Sequence, residues 1–120
     1  MPRVLIADDD VEYLSVFQNG IEMLGHEVSV ASSADQMRVL LEDREFDIVF
    51  VDVVMPGGGA VTLVHEIFAV DPTLPIVVIS GQSLLFDTPL LKDGLRMARA
   101  VLRKSASLQD INATILKYVT

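Results

Sequence analysis

The stretch DIVFVD, residues 47–52, decides the fold predicted for this chain. Its interior is an unbroken apolar run, whereas a strand with one face in water would alternate apolar and polar residues. The stretches RVLIA (3–7) and PIVVIS (75–80) share this character, and EVSVA (27–31) and AVLR (100–103) complete a set of five candidate strands. We therefore predict a parallel sheet that is covered by helices on both faces.

The spacing of apolar residues between the strands predicts the covering helices. The predicted buried stripes are Leu14, Phe17, Ile21 and Leu24; Met37, Leu40 and Leu41; Val61, Val64 and Phe68; and Leu108, Ile111, Ile115 and Val119. Gly25 is placed to end the first helix, and Ser33 followed by Gln36 opens the second as a capping box. Ser107 is a candidate cap for the last helix, and Thr88–Pro89 indicates the start of a fourth helix after the fourth strand.

Five strands that alternate with five helices indicate an α/β domain with a doubly wound parallel sheet. The 120 residues, of which 51% are hydrophobic, can build the core of one domain, so we expect residues 1–120 to form a single unit. No apolar run approaches the ~20 residues that a membrane span needs, and the N-terminus lacks the features of a signal peptide. We therefore expect a cytoplasmic protein without membrane contact.

Charge and cysteine content argue against several kinds of function. The chain has 17 acidic and 9 basic residues and a formal charge of −8, which weighs against direct binding to nucleic acid. It has no cysteine, so disulfides and cysteine-based metal sites or nucleophiles are excluded. His26 and His65 stand alone without the spacing of metal ligands, and we expect them at the surface without a functional role.

Polar residues gather where the predicted strands end. They are Asp8, Asp9 and Asp10 after the first strand, Asp52 in the third, Ser80 in the fourth, and Arg103 and Lys104 at the fifth. Ligands of doubly wound sheets bind at this carboxyl edge. Carboxylates from two strand ends repel each other, and a hard cation such as Mg²⁺ or Mn²⁺ relieves that repulsion. The sequence therefore predicts a divalent metal site at this edge.

A metal site of this kind favours a phosphoryl ligand, because Mg²⁺ is usually held by one or two carboxylates together with phosphate oxygens. The hydroxyl of Ser80 and the ammonium of Lys104 can bind the remaining phosphoryl oxygens, and Asp52 is the best-placed nucleophile. Taken singly, an Asp after a strand is commonly a turn former or a helix cap. The combination on successive strand ends favours the functional interpretation.

Four segments resemble the receiver family of two-component response regulators: VLIADDD (4–10), VDVVMP (51–56), VVIS (77–80) and VLRK (101–104). The resemblance spans the whole chain. It implies a flavodoxin-like sandwich with strand order 2-1-3-4-5 and five helices. It also implies a signalling domain that catalyses only its own phosphorylation and dephosphorylation.

The resemblance implies roles and partners as well. The implied metal-binding groups are Asp8 acting through water, Asp9, Asp52 and the backbone carbonyl of Val54, and the implied phosphoryl-binding residues are Ser80, the switch hydroxyl, and Lys104. Asp52 would be the phosphoacceptor, with a histidine kinase or phosphotransfer protein as donor. A downstream protein or output domain would bind the face of helix four, strand five and helix five, and a homodimer would use the same face.

Three positions depart from the family pattern. Val101 stands where an aromatic switch residue is usual, so the ordinary ring rotation is unavailable. Ser105 stands where a cis-proline is usual, and we predict a trans Lys104–Ser105 bond because a cis bond before a non-proline residue costs ~2.5–4 kcal/mol. Gly57–Gly59, followed by Ala60, predicts either a loose turn or a mobile loop that changes on phosphorylation.

Three other functions are left open by the residues. A phosphorylation-independent pseudo-receiver is favoured by Val101 and Ser105. A haloacid-dehalogenase-type phosphatase would use Asp8 and Asp10 as its paired acids, although Glu12 and the short chain do not fit that family. A flavodoxin-like cofactor binder is disfavoured, since three consecutive aspartates would repel a flavin phosphate.

Overall fold

In the computed structural model, which describes residues 1–53, 59–81 and 96–119, the chain folds around a five-stranded parallel sheet. The strands are β1 (Arg3–Ala7), β2 (Glu27–Ala31), β3 (Ile48–Asp52), β4 (Ile76–Ser80) and β5 (Ala100–Arg103). The helices in the described residues are α1 (Val11–Met23), α2 (Ala34–Asp43), α3 (Gly59–Val70) and α4 (Leu108–Tyr118). The strand order is β2-β1-β3-β4-β5, as predicted.

Every residue of β3 and β4 is buried, which explains the unbroken apolar runs in the sequence. The pleat directs alternate residues of each strand to opposite faces and so creates two apolar cores. The core against α2 and α3 includes Leu5, Val49 and Val78, and the core against α1 and α4 includes Ile6, Phe50 and Ile79. The doubly wound α/β architecture predicted from the sequence is therefore confirmed.

The predicted helix caps are present, with one change of partner. The hydroxyl of Ser33 accepts a hydrogen bond from the backbone N–H of Gln36, which opens α2, and Ser107 caps α4 in the same way. The side chain of Gln36 accepts from the backbone N–H of Ser32, at 2.7 Å, where a capping box would use that of Ser33. Gly25 ends α1 with a φ of +97°, a conformation that glycine adopts without the steric cost met by other residues.

Two expectations about buried positions were wrong. His26 is buried, because α4 packs beside α1 and brings Asn112 within 2.5 Å of its Nε2 atom. Leu24 and Leu108 are exposed rather than members of the buried stripes. Leu24 lies at the C-cap of α1, and Leu108 begins α4 and lies across Gly20 of α1.

Several predicted features lie outside the described residues. They are the carbonyl of Val54, the loop at Gly57 and Gly58, and the helix start at Thr88–Pro89. The helix predicted as the fifth is α4 in the numbering used here. In the parts of the chain that the structure describes, no helix combines the length and the apolar character that a membrane crossing requires.

The contact between Gly20 and Leu108 leads to a prediction about stability. A Cβ atom at Gly20 would lie 2.4 Å from Leu108 Cδ1, so Gly20→Ala requires the leucine side chain to turn away. In a Leu108→Ala background, we expect Gly20→Ala to raise the free energy of unfolding by about 1 kcal/mol, the difference in helix propensity. With Leu108 present, the gain should be smaller by at least about 0.5 kcal/mol. Urea denaturation of all four proteins measures this coupling, and equal effects in both backgrounds would contradict the proposed contact.

Candidate functional site

The carboxyl edge of the sheet brings the predicted polar residues together. Asp8 follows β1, Asp52 and Ser80 are the last residues of β3 and β4, and Lys104 follows β5. The backbone N–H of Asp8 donates to the carbonyl of Ala31, and that of Lys104 donates to the carbonyl of Ser80. These bonds continue the sheet ladder past the strand ends, so the backbone of the site is held by the sheet itself.

Three of the predicted acidic residues form a cluster. Asp8, Asp9 and Asp52 each offer one carboxylate oxygen, and these atoms lie within 4.8 Å of one another. Asp8 and Asp52 are buried, with 0% and 4% of their surface exposed, whereas Asp9 is exposed to solvent. Ligand oxygens at opposite positions around Mg²⁺ lie about 4.2 Å apart, twice the metal–oxygen distance. The cluster therefore has the donor type that a small divalent cation prefers, at a spacing close to that of its ligands.

Lys104 binds this acidic cluster directly. Its Nζ atom lies 2.8 Å from Asp8 Oδ2, 3.0 Å from Asp8 Oδ1 and 3.7 Å from Asp52 Oδ2. Burial lowers the pKa of Lys104, but the hydrogen bond to Asp8 and the charges of Asp52 and Asp8 outweigh burial, and the pKa is raised. The ammonium group is therefore charged at neutral pH and links carboxylates from two strand ends.

Asp10 has a different role from the other two aspartates of its run. Its Oδ1 atom accepts a hydrogen bond from the backbone N–H of Tyr13, and so it caps α1. Its own backbone N–H donates to Asp8 Oδ1 at 2.9 Å. Asp10 thus attaches the start of α1 to the acidic cluster, and its carboxylate is committed to the helix cap.

Tyr13 belongs to the site but was not identified from the sequence. Its ring lies under the ammonium of Lys104, with Nζ 5.2 Å from the ring centroid. Its hydroxyl is buried and has no hydrogen-bond partner in the described residues. Burial, together with the charges of Asp8 and Asp52, raises its pKa to about 12. The sequence feature that could have identified Tyr13 is its place in the first turn of a helix that begins at the carboxyl edge of the sheet.

The atypical switch positions lie beside this site. Val101 is on β5, where the residue is 46% exposed, and it pairs with Val78 of β4. The bond between Lys104 and Ser105 is trans, as are all peptide bonds in the described residues, which confirms the prediction for Ser105. Ala60 is buried in the first turn of α3.

The fold is shared with solved structures. A CheY-like receiver domain protein from Methanospirillum hungatei matches with a TM-score of 0.91 at 21% identity, covering 99% of this chain and 94% of that one. The response regulator TrrA from Thermotoga maritima, solved in complex with Mg²⁺–BeF, matches with a TM-score of 0.88 at 19% identity, covering 98% and 99%. At these identities the similarity shows a common fold.

The sequence itself matches a known family. Residues 4–116 match the response regulator receiver domain. The chain is also 30% identical over 112 residues to the DNA-binding transcriptional regulator NtrC of Azospirillum brasilense, which covers 93% of this chain. It spans between 17% and 37% of the length of the curated relatives it matches. Since the family match extends over nearly the whole chain, the protein belongs to the family of response regulator receiver domains.

Proposed function

We propose that this chain is a phosphoacceptor domain of a two-component system, in which Asp52 accepts a phosphoryl group in a reaction that depends on Mg²⁺ or Mn²⁺. The observation that carries the proposal is the Lys104 ammonium, which lies 2.8 Å from Asp8 Oδ2 and 3.7 Å from Asp52 Oδ2. A cation fixed beside the nucleophile provides the charge that a phosphoryl group requires. The donor is a phosphohistidine on a histidine kinase or a phosphotransfer protein, and the receiver unit occupies residues 1–120.

The charge of the site supports the requirement for a divalent cation. Three carboxylates, from Asp8, Asp9 and Asp52, and one ammonium, from Lys104, leave a formal charge of −2. A phosphoryl group adds further negative charge, which is unfavourable in a partly buried site unless a cation is bound. When bound, Mg²⁺ supplies charge neutralisation and orients the phosphoryl oxygens.

The described residues fit the metal. Asp9 and Asp52 would be direct ligands, together with the backbone carbonyl of Val54, and Asp8 would act through a bound water. Support for this assignment comes from the clustered oxygens of the three aspartates, and Asp8 Oδ2 is already bound by the Lys104 ammonium at 2.8 Å, which agrees with an indirect role for Asp8. The contribution of Val54 is inferred from the resemblance alone.

The proposed reaction uses the residues of the site in a single displacement. A carboxylate oxygen of Asp52 attacks phosphorus, the phosphorus–nitrogen bond breaks, and the imidazole of the donor leaves with the bonding electron pair. Lys104 binds an oxygen of the transferred group, and the hydroxyl of Ser80, on the neighbouring strand, donates a hydrogen bond to another. Water later attacks phosphorus, the bond between phosphorus and the Asp52 oxygen breaks, and phosphate leaves with the Asp52 carboxylate regenerated, so the chain acts only on its own phosphoryl group.

We propose that the phosphorylated domain acts by protein contact, through the face that includes β5, α4 and the predicted fourth helix. A downstream protein, an output domain or a second copy of the chain would bind there, and phosphorylation would shift a pre-existing equilibrium. The charge of −8 weighs against nucleic-acid binding by this chain itself. The cytoplasm is the compartment in which the donor and this chain would meet.

A second candidate is a pseudo-receiver that binds its partner without phosphorylation. It is favoured by Val101, an exposed valine at the position where an aromatic switch residue is usual. The phosphatase alternative is less well supported. Its paired acids would be Asp8 and Asp10, and the carboxylate of Asp10 is used to cap α1.

Replacing the phosphoacceptor tests the proposed function. With a small radiolabelled acyl phosphate and Mg²⁺, the wild-type chain should acquire an acid-stable, base-labile label, and Asp52→Asn should reduce the label at least about 100-fold because the nucleophile is lost. Asp43→Asn, at the exposed end of α2, is the matched control and should label like the wild type. Undiminished label in Asp52→Asn would refute the assignment of the phosphoacceptor.

Replacing the lysine tests the electrostatic part of the proposal. Without metal at pH 7, Lys104→Met should lower the free energy of unfolding by about 1–3 kcal/mol, because two buried carboxylates lose their cation. The loss should be smaller than that of a fully buried ion pair, since the Lys104 side chain is 22% exposed. Mg²⁺ should then stabilise the variant more than the wild type, since the metal replaces the lost charge. Lys117→Met on α4 serves as the control. Equal free energies of unfolding for Lys104→Met and wild type, measured by denaturant titration, would show that the ion pairs do not stabilise the fold.

The same ion pairs predict a pH dependence. Because the pKa of Lys104 is raised in the folded protein, its contribution is complete below the ordinary lysine pKa of 10.5 and is lost as the pH rises through the raised value. The difference in unfolding free energy between wild type and Lys104→Met should therefore be constant from pH 7 to 10 and shrink above pH 10.5. An increase of this difference above pH 10.5 would contradict the proposed ion pairs.

A further inference from the structure

Tyr13 occupies a fixed position in the site that the proposed reaction does not explain. Asp10 accepts a hydrogen bond from its backbone N–H at 3.1 Å, and the backbone of Asp10 donates to Asp8 at 2.9 Å. The ring packs against Phe17, with centroids 6.2 Å apart, and Phe17 packs edge-to-face on Phe50 at 5.2 Å. The tyrosine is therefore held from one side by the acidic cluster and from the other by the core.

The ring and the hydroxyl of Tyr13 offer two separate interactions. The ring face lies 5.2 Å from the Lys104 ammonium, within the range of a cation–π contact. The hydroxyl is buried without a partner in the described residues, an arrangement that costs free energy unless a ligand or water supplies the missing acceptor. The ammonium above the ring itself lies 2.8 Å from Asp8 Oδ2 and 3.7 Å from Asp52 Oδ2, so Tyr13 borders the same group of charges as the two carboxylates.

The state of the hydroxyl suits an anionic ligand. Its pKa is raised to about 12 by burial and by the carboxylates of Asp8 and Asp52, so the group stays protonated at neutral pH and is a hydrogen-bond donor. Both carboxylates are already bound by Lys104, at 2.8 and 3.7 Å. An oxygen of a phosphoryl group on Asp52 would be a new acceptor in the same small space.

We propose that Tyr13 is a further phosphoryl-binding residue: its ring supports the Lys104 ammonium, and its hydroxyl donates a hydrogen bond to an anionic group on Asp52. This inference rests on the proposed function and adds a residue to it. Tyr13→Phe keeps the ring and removes the hydroxyl, whereas Tyr13→Leu removes both, so the two interactions can be measured separately.

Beryllofluoride with Mg²⁺ is the probe, because it mimics a phosphoryl group on a carboxylate, and its affinity can be measured by ¹⁹F NMR. Tyr13→Phe should weaken beryllofluoride binding by about tenfold, the lower range for a hydrogen bond to a charged group. Tyr13→Leu should weaken it by about a further threefold, the range of a partly exposed cation–π contact. Affinity for Mg²⁺ alone should stay within about twofold of wild type in Tyr13→Phe, because that variant keeps the ring and loses only the anion contact.

Tyr118→Phe is the matched control. The Tyr118 hydroxyl donates to the carbonyl of Arg99 at 3.0 Å, and its ring lies 5.3 Å from the Lys117 ammonium, at the opposite edge of the sheet. The Tyr118→Phe variant should bind beryllofluoride with the affinity of the wild type. Beryllofluoride affinity in Tyr13→Phe equal to that of the control would overturn the role of the hydroxyl. Parallel losses of Mg²⁺ affinity and of unfolding free energy would also overturn the proposal, since they indicate a purely structural residue.

Two results separate this inference from the proposed function. If wild type binds no beryllofluoride, the proposed function fails and the role of Tyr13 fails with it; if wild type and Tyr13→Phe bind it equally, only the role of Tyr13 fails. The ring contact can also be tested without any ligand. The ring current should displace the ¹H signals of the Lys104 ε-methylene in wild type and Tyr13→Phe, and the displacement should disappear in Tyr13→Leu. An unchanged signal in Tyr13→Leu would contradict the contact.

Discussion

The ion pairs between Lys104 and the carboxylates of Asp8 and Asp52 are the interaction on which the site depends. Asp8 is completely buried and Asp52 nearly so, and two ionised carboxylates this close would be strongly unfavourable without a cation. The Lys104 ammonium offsets the charge of both carboxylates, one of which is the proposed nucleophile. In the metal-free protein we expect Lys104 to stabilise the fold through its ion pairs, and in the proposed reaction it binds an oxygen of the transferred phosphoryl group.

The parallel sheet makes this arrangement possible, because it brings residues distant in sequence to one edge. Asp8 and Lys104 are 96 positions apart, yet their side chains meet as a consequence of the register between neighbouring strands. The same strands are covered on both faces by helices, which leaves their carboxyl ends as the place where polar groups can reach solvent. The register of the parallel strands therefore sets the positions of the site residues.

Much of this could be predicted from the sequence, for identifiable physical reasons. The apolar runs at residues 47–52 and 75–80 revealed buried parallel strands, and the acids and the lysine followed from the positions of strand ends. Tyr13 was missed because its role depends on the distance from its ring to Lys104, across two elements. His26 was misjudged for a similar reason, since its burial depends on Asn112 of α4.

The central claim is that this edge is a working phosphoryl site rather than the remnant of one, and the departures at Val101 and Ser105 make that question specific. The most direct measurement is the amide ¹H–¹⁵N spectrum of the wild-type chain before and after addition of Mg²⁺ with beryllofluoride. The account predicts large shifts at Asp52, Ser80 and Lys104, with much smaller changes at the opposite edge of the sheet. A spectrum that does not change at these three residues would contradict it and favour phosphorylation-independent binding.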